Sequence, residues 1–596
     1  MLTSEFLLLC RRFFVTLAIK PKNDGMKRLF LLMACLALLV PAGAQKPKKK
    51  EDHSFQVTKN LEIFNTLYKE LDMYYVDTLD ADDVITLGID AMLSSLDPYT
   101  DYYPAEDISE LKMLTTGKYG GIGSIIRMRS DSTVIIAEPY EGMPAAEVGL
   151  QVGDVLKKID NTDLKGKLVS DVSDMLRGEP GTTFVLQVQR PGEATTRDFK
   201  ITRKNIKTPA IPYYGLLTAK NVPEGVDGSK IGYINLSQFT ENCSSDVRKA
   251  VISLKEKGAE SLVIDVRGNG GGLLGEAVKI VNLFVPKGKT IVETKGKLKQ
   301  SSSSYKTTQE PLDLDIPLCV LINNGTASAS EILAGSLQDL DRAVVVGARS
   351  FGKGLVQSPR DLPFNASVKL TTAKYYIASG RCIQAIDYKS KRDGKGDGRV
   401  PDSLARVFHT ANGRPVLDGN GIKPDIEVKH DTMANIVYYI SNDDVLTDWG
   451  TKYSAEHPTI PAVGDLEISD AEFEAFKQMA KDKGFKYDRL SLKRLEDLKK
   501  TAEFEGYYED AKPEFEALEK KLEHNLDKEM DRFRKEIKQM MALELCKRYY
   551  FQAGQIEETL KEDDDLLRAA EVLSKPEEYR KILGLSPTPS QRGGAE

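Results

Sequence analysis

The chain has 596 residues, enough for several domains. A formal net charge of −6 argues against nucleic acid as a main partner. The six cysteines (Cys10, Cys35, Cys243, Cys319, Cys382 and Cys546) show no paired spacing and no Cys-x-x-Cys, which argues against a metal site, and no residue pattern calls for a cofactor.

Residues 1–25 form an upstream extension whose apolar patches are split by Arg11-Arg12. Met26-Lys27-Arg28, the apolar run Leu29–Val40 and Ala42-Gly43-Ala44 have the pattern of a secretory signal peptide over 26–44, with cleavage expected after Ala44. The run is too short to span a bilayer. Leu32-Met33-Ala34-Cys35 offers a second reading, a lipoprotein signal. The expected location is the bacterial periplasm, with an uncleaved or lipid membrane anchor as the alternative.

A lysine-rich linker, Lys46–Lys50, precedes a helical region over 53–112. Its first helix places Leu61, Phe64, Tyr68 and Leu71 on one face, and its second runs from Ala81 to Leu96 and ends at Asp97-Pro98. Residues 113–204 read as mostly β, with strand-like runs at Ile122–Ile125, Val134–Ala137, Val155–Ile159, Phe184–Gln189 and Asp198–Thr202. Short helices are expected at Gly142–Ala146 and Val169–Leu176. From 205 to 428 strands and helices alternate, with exposed polar loops at Lys295–Glu310 and Lys389–Arg399. The highly charged tail, 429–596, repeats Phe515, Leu518, Leu522, Leu526, Met530, Phe533, Ile537 and Met541 at three- and four-residue steps. That spacing predicts one long amphipathic helix. Residues after Pro587 read as disordered.

The most informative stretch lies in the alternating region. Leu318-Cys319-Val320-Leu321-Ile322 has the length and content of a buried strand, with Cys319 as a small core residue. Asn323-Asn324-Gly325 breaks it, and helical spacing restarts at Glu331. Ser328 therefore falls where a strand meets a helix N-terminus, whose unpaired N–H groups suit a developing oxyanion. A serine there serves as a helix cap, or as a nucleophile if a base is near. The five histidines (His53, His409, His430, His457 and His524) lie outside any glycine-rich or strand-end motif. Lys353, flanked by glycines in Phe351-Gly352-Lys353-Gly354, is the alternative base. In a dry pocket its pKa falls from ~10.4 toward neutrality. Gln357 is placed to hold the amine by a hydrogen bond.

Two other readings of this lysine fail. Gly347–Lys353 approaches a P-loop, but Gly354 stands where Ser or Thr is required, and the following residues read as strand. Ser350-x-x-Lys353 matches the serine β-lactamase motif without its Ser-Asp-Asn or Lys-Thr-Gly partners.

Several segments in one order resemble the carboxyl-terminal processing peptidases, or tail-specific proteases. They are Ser95–Thr100, Tyr119–Gly123, Gly142–Ala145, Gly149–Asp154, Ile231–Ile234, Asp265–Gly272, the serine turn, Gly335–Asp339, the Gly-Lys-Gly segment and Gly421–Asp425. The resemblance covers roughly 55–428. It implies a multidomain α/β protein: a crotonase-like (ClpP-like) α/β protease core at 205–428, an inserted mostly-β PDZ domain at 113–204, N-terminal helices and a C-terminal helical extension. It implies Ser328 as nucleophile, Lys353 as general base, Gln357 as orienter of the lysine and Asp339 as a supporting acid. The oxyanion hole is expected from the N–H of Ala329 and, by family analogy, of Gly271, with Gly272 next. Gly121-Ile122-Gly123-Ser124 resembles a PDZ carboxylate-binding loop, in which successive N–H groups form an anion nest and the strand edge accepts an extended peptide. Ser124 departs from the apolar residue usual at that position.

The implied activity is a serine endopeptidase that captures the free, apolar C-terminus of a protein or peptide substrate and cleaves upstream of it through an acyl-enzyme. A homodimer contact through the N-terminal helices, or an adaptor, is the implied further partner. The C-terminal extension is expected to pack against the protease or a partner subunit. A non-catalytic peptide-binding scaffold and an acyl-CoA enzyme on the related fold are the rival classes. The presence of both Ser328 and Lys353 disfavours the first, and the signal peptide the second.

Overall fold

The computed structural model describes residues 52–586, apart from 395, 431–432, 488–489 and 523–524. The expected upstream extension, the signal peptide and the tail after Pro587 lie outside the described residues. Residues 52–88 belong to a unit of their own. There His53–Tyr74 forms a helix whose N-terminus is capped by the Asp52 carboxylate. Asp80 caps the start of the next helix, Ala81–Ser94.

The second unit is built on a six-stranded sheet in the order Tyr213–Leu216, Ile231–Asn235, Ser261–Asp265, Leu318–Ile322, Val344–Gly347 and Ile426–Glu427. The first pair is antiparallel and the others are parallel. The inner strands are apolar throughout, as a sheet covered on both faces requires. Alternation along each strand assigns the faces. Leu262, Ile264, Leu318, Val320, Ile322 and Val345 pack under helices Cys243–Glu256, Leu274–Val281 and Ala329–Asp339. Val263, Cys319, Leu321, Val344 and Val346 point the other way, against Leu566, Ala569, Ala570, Val572, Leu573, Tyr579 and Leu583.

That second cover comes from the far end of the chain. The helices Asp564–Leu573 and Pro576–Ile582 therefore complete the α/β core, and 205–428 alone would leave one sheet face bare. A second, antiparallel sheet joins Asp101–Tyr103, Ser367–Ile377, Thr290–Gly296 and Ser303–Lys306, with Leu355–Asp361 also paired to Ser367–Ile377. Ser303–Lys306 falls in the expected polar loop and is exposed. The short helix Tyr388–Arg392 occupies the start of the other loop.

The mostly-β insert closes on itself where Lys118–Gly121 pairs with Lys204–Lys207. Its sheet runs Ser124–Met128, Val134–Pro139, Val155–Ile159, Thr183–Gln189 and Arg197–Thr202. The first strand starts at Ser124 rather than Ile122, because Gly123 turns the chain at φ 72°. Helix Val169–Leu176 matches its expected bounds.

The long helix expected over 515–541 is instead three: Lys512–Lys521, Leu526–Arg532 and Arg534–Thr559. The Asn525 side chain accepts the N–H of Lys528 and starts the second. Met530, Ile537 and Met541 enter one core with Trp449, Phe473 and Phe476, so from Leu526 onward the periodicity reported a shared buried face rather than a continuous axis, whereas Lys512–Lys521 buries no side chain. This helical domain grips the insert through Arg127–Asp444 (2.8 Å), Arg129–Asp448 (2.7 Å) and Arg548 to the Val152 carbonyl (3.0 Å).

Leu566 is fully buried in the second cover. Leu566→Ala is expected to lower stability by about 2–5 kcal/mol, read as the shift of the urea midpoint, whereas Glu577→Ala on the exposed side should change it by less than about 0.5 kcal/mol.

Candidate functional site

Three loops leave the carboxyl ends of adjacent parallel strands: 266–272 after Ser261–Asp265, 323–328 after Leu318–Ile322, and 348–354 after Val344–Gly347. Open α/β sheets place their sites at this edge. Hydrogen bonds tie the loops together. Asn323 Oδ1 accepts the N–H of Gly268 (2.9 Å) and Thr326 Oγ1 donates to the Val266 carbonyl (2.9 Å). The Asn269 carbonyl accepts the Ala327 N–H (3.0 Å) and the Ser330 hydroxyl (2.8 Å).

Ser328 sits at φ 56°, ψ −116°, just before helix Ala329–Asp339. These angles are those of the first central residue of a type II′ turn, a position that favours glycine. A β-carbon held there stores strain, a pattern that clusters at functional sites. Ala329 opens the helix, so its N–H precedes the first intrahelical bond.

Gly271 is pressed against this turn. A β-carbon on it would lie 2.8 Å from Ser328 Cβ and 2.9 Å from Ala329 N, so no side chain fits. Its own N–H donates to Asn269 Oδ1 at 2.8 Å, and the Asn269 amide donates to the Leu236 carbonyl at 2.7 Å. Gly272 packs on Phe239, whose carbonyl would lie 2.3 Å from an added β-carbon.

Lys353 lies on the facing loop. Burial pushes its amine down to about 8; the nearby Lys369 adds to this, while Asp97, Glu331 and Asp101 oppose it. Its Nζ rests 4.3 Å from the centroid of the Tyr99 ring. Gln357 does not hold the amine: its amide donates to Thr371 Oγ1 at 3.1 Å. Ser328, Lys353, Gln357, Gly271 and Gly272 nonetheless line one cavity of about 700 Å3, whose walls include Leu111, Leu114, Phe239, Leu273, Ile332 and Leu355.

Asp339 closes the 11-residue helix that Ser328 precedes, about 15 Å along the axis from the serine. It pairs with Arg381 (2.8 Å) and accepts the Ser379 N–H (2.9 Å). Its place is at the far end of the helix, bracing the core.

The carboxylate that does touch the site is Glu331. It is fully buried. Its Oε2 accepts the N–H of Ser328 (2.8 Å) and of Lys353 (2.9 Å), and its Oε1 accepts the N–H of Gly352 (2.8 Å) and the hydroxyl of Ser350 (2.5 Å). Burial raises this carboxyl more than the four donors lower it, and the balance stands at about 7. Three backbone N–H donors favour the ionised form against that burial, while the Ser350 hydroxyl can donate to the carboxylate or accept from the carboxylic acid. The signal for it was present as Ser-x-x-Glu, the capping-box spacing. Tyr375 adds a second tie, its hydroxyl facing the carbonyls of Ser328 (3.1 Å) and Lys353.

A serine on a strained strand–helix turn that shares one cavity with a partly buried lysine and a close-approaching glycine loop is compatible with an acyl-transfer hydrolase. Family models match at 230–390 (peptidase family S41), at 135–190 (PDZ domain) and at 436–573 (probable PDZ-protease, C-terminal helical domain). The carboxy-terminal-processing protease of Bartonella bacilliformis is 36% identical over 332 residues, 55% of this chain and 73% of that protein. A probable CtpA-like serine protease of Staphylococcus aureus is 33% identical over 333 residues, 55% of this chain and 64% of that one. The solved photosystem II D1 C-terminal processing protease is 28% identical across 62% of this chain and 92% of its own, with a TM-score of 0.35. The chain belongs to the carboxy-terminal-processing proteases of peptidase family S41, and it is a serine peptidase.

Replacing Glu331 by Gln sets an amide NH2 against backbone N–H donors. Peptide hydrolysis is expected to fall roughly 100-fold, with stability lower by about 1–3 kcal/mol. Turnover and urea denaturation check this; an unchanged rate would show that the carboxylate does not set the geometry.

Proposed function

We propose that Ser328 and Lys353 form a catalytic dyad that cleaves protein substrates captured by their free C-terminus. The observation that carries this is the shared cavity in which a strained serine and a partly buried lysine are both tied by their backbones to one carboxylate, Glu331.

For reaction the amine must lean from the Tyr99 ring to within about 2.6–3.2 Å of the Ser328 hydroxyl. The neutral amine takes the hydroxyl proton as Oγ bonds to the peptide carbonyl carbon. The resulting oxyanion faces Ala329 N–H and Gly271 N–H. Gly271 N–H is already given to Asn269 Oδ1, so it serves the oxyanion only where that bond is shared or released, and Ala329 N–H is the first donor. The carbon–nitrogen bond then breaks as the lysine returns the proton to the leaving amine. Water, deprotonated by the same lysine, attacks the ester, releasing a carboxyl group and restoring the serine. The parallel sheet supports the crotonase-like assignment of the core.

Capture is assigned to Gly121-Ile122-Gly123-Ser124. The loop borders a small cavity of about 50 Å3 with Tyr119, Ser173, Leu176 and Arg177. Ser124 Oγ is buried and has no hydrogen-bond partner among the described residues, which leaves it available to a carboxylate. Ser124–Met128 lies at the sheet edge, open to strand addition. A cavity of this size admits a few waters and no side chain, so the groove must widen to take a peptide. The pattern at Met26–Ala44 supports a periplasmic location, which fractionation with and without that segment tests.

Ser328→Ala and Lys353→Ala are each expected to lower kcat by more than about 1,000-fold while leaving the circular-dichroism spectrum intact. A substrate with an amidated C-terminus should show a raised KM with kcat retained. Retained turnover in either variant overturns the dyad.

The base works only when neutral. kcat/KM is therefore expected to be low in acid, to rise with pH through about 8, and to level off above it.

A further inference from the structure

We propose that Tyr99 is a positioning residue for Lys353: the face of its ring holds the lysine amine at the cavity wall and keeps water from it. The inference rests on the serine/lysine reading above and deepens it.

The geometry begins with the 4.3 Å separation of Lys353 Nζ from the ring centroid. The ring face attracts the ammonium and so favours the charged form, while the ring's cover against water favours the neutral amine; the contact is thus the resting position from which the amine leans to Ser328. The amine itself therefore has an aromatic neighbour where Gln357 was expected, and Gln357 is turned to Thr371.

The ring is fixed from three sides. Asp97 Oδ1 accepts the Tyr99 N–H at 2.9 Å, and Asp97 Oδ2 accepts the Thr100 hydroxyl at 3.2 Å. The next residues, Asp101–Tyr103, pair with Ser367–Ile377, with Asp101 opposite Lys369 and Tyr103 opposite Ser367. The ring edge meets Tyr388, with centroids 6.0 Å apart at 84° and hydroxyls 3.2 Å apart. The Tyr99 hydroxyl thus faces Tyr388, and its π face is what the amine meets.

The same segment governs Gln357. Thr100 Oγ1 accepts the Thr371 N–H at 3.2 Å, and the Thr371 hydroxyl accepts the Gln357 amide. Asp97–Thr100 precedes the PDZ domain in sequence, yet it forms the floor beneath the lysine and the brace behind the glutamine.

The charges around the amine come from several elements. Lys369 lies on Ser367–Ile377, Glu331 on the helix after Ser328, and Asp97 and Asp101 on the segment itself. Tyr388, Glu331 and Asp97 also face Tyr99. All of these remain when Tyr99 is replaced, so a change in the pH profile reports on the ring.

The test uses the full mature chain with Tyr99→Phe, Tyr99→Leu and Tyr99→Ala. Turnover of a fluorogenic peptide ending in a free apolar carboxyl group is followed against pH, together with the rate at which a fluorophosphonate labels Ser328. Tyr99→Phe keeps the face, and kcat should stay within about threefold of the unmodified chain. Tyr99→Ala admits water: kcat should fall at least about tenfold with KM within about twofold, and the acid limb should move up toward the ordinary lysine value of ~10.4. Tyr99→Leu fills the space without a π face and should lower kcat at least about fivefold at an unchanged melting temperature.

A normal rate and unmoved acid limb in Tyr99→Ala overturn the proposal, as does a Phe variant as impaired as the Ala variant. If Tyr99→Ala does not fold, a normal rate in Tyr99→Leu does the same. Lys353→Ala separates the two readings. If it labels normally, the dyad falls and the role of Tyr99 with it; if it is inert while the Tyr99 variants are normal, only the role of Tyr99 falls.

Discussion

A buried carboxyl group is costly unless its polar atoms are paired, and every donor to Glu331 comes from the serine turn and the lysine loop. This fully buried group is satisfied only when the serine turn and the lysine loop stand in one arrangement. The price of burying that group is repaid through geometry: any drift of either loop uncovers it. This is why Ser328 can be held at an unfavourable φ, and why Ser350 is backed in turn by the Ile422 N–H at 2.7 Å. A glycine at 421 is required there, since a β-carbon would meet the Ser350 carbonyl at 2.7 Å.

The C-terminal extension extends the same logic to the loop bearing Gly271. Arg267, near the start of that loop, is clasped by Asp265 (2.6 Å), Asp563 (2.6 Å) and Asp565 (2.9 Å). His430 approaches Asp565 from the opposite side at 3.0 Å. Two of these carboxylates head the helix that covers the rear of the sheet. The end of the chain is therefore coupled both to the hydrophobic core and to the loop facing Ser328. Between those contacts, the intervening helices hold the PDZ domain through Arg127, Arg129 and Arg548. One C-terminal domain thus contacts both the PDZ domain and the loop that lines the Ser328 cavity.

Much of this was legible in the sequence where local pattern decides structure. Leu318–Ile322 is the strand its apolar run predicted, and Val169–Leu176 is the expected helix. Ser328 and Lys353 line one cavity, as the proposed dyad requires. What failed depended on distant partners. The periodicity of 515–541 could not reveal the breaks before Leu526 and at Phe533, because the second and third pieces turn their apolar residues to one core while the first, Lys512–Lys521, buries none and yet keeps the spacing. Asp339 and Glu331 lie on one helix; the Ser-x-x-Glu spacing marks Glu331 only as a helix cap, and its tie to the lysine loop is seen only in the fold. The contact of Tyr99 with Lys353 joins segments separated by the whole PDZ domain, so no local spacing encodes it.

The balance at Lys353 shows why so many elements converge on it. A lysine left in water is almost wholly protonated at neutral pH and a poor base; one held near 8 is unprotonated in about a tenth of molecules at pH 7. Burial supplies the downward push, and Lys369 adds to it from the neighbouring strand. Glu331, Asp97 and Asp101 work in the opposite sense, yet Glu331 is indispensable to the geometry and Asp97 to the segment bearing Tyr99. Positioning therefore opposes activation, because the carboxylates that hold the loops also favour the ammonium. Lys369 resolves part of the conflict: its own amine is held by Asp101 at 2.6 Å, which neutralises one opposing charge while keeping a cation close to Lys353. A dry wall, contributed by the ring of Tyr99 and the apolar side chains of the cavity, must outweigh the carboxylates that remain.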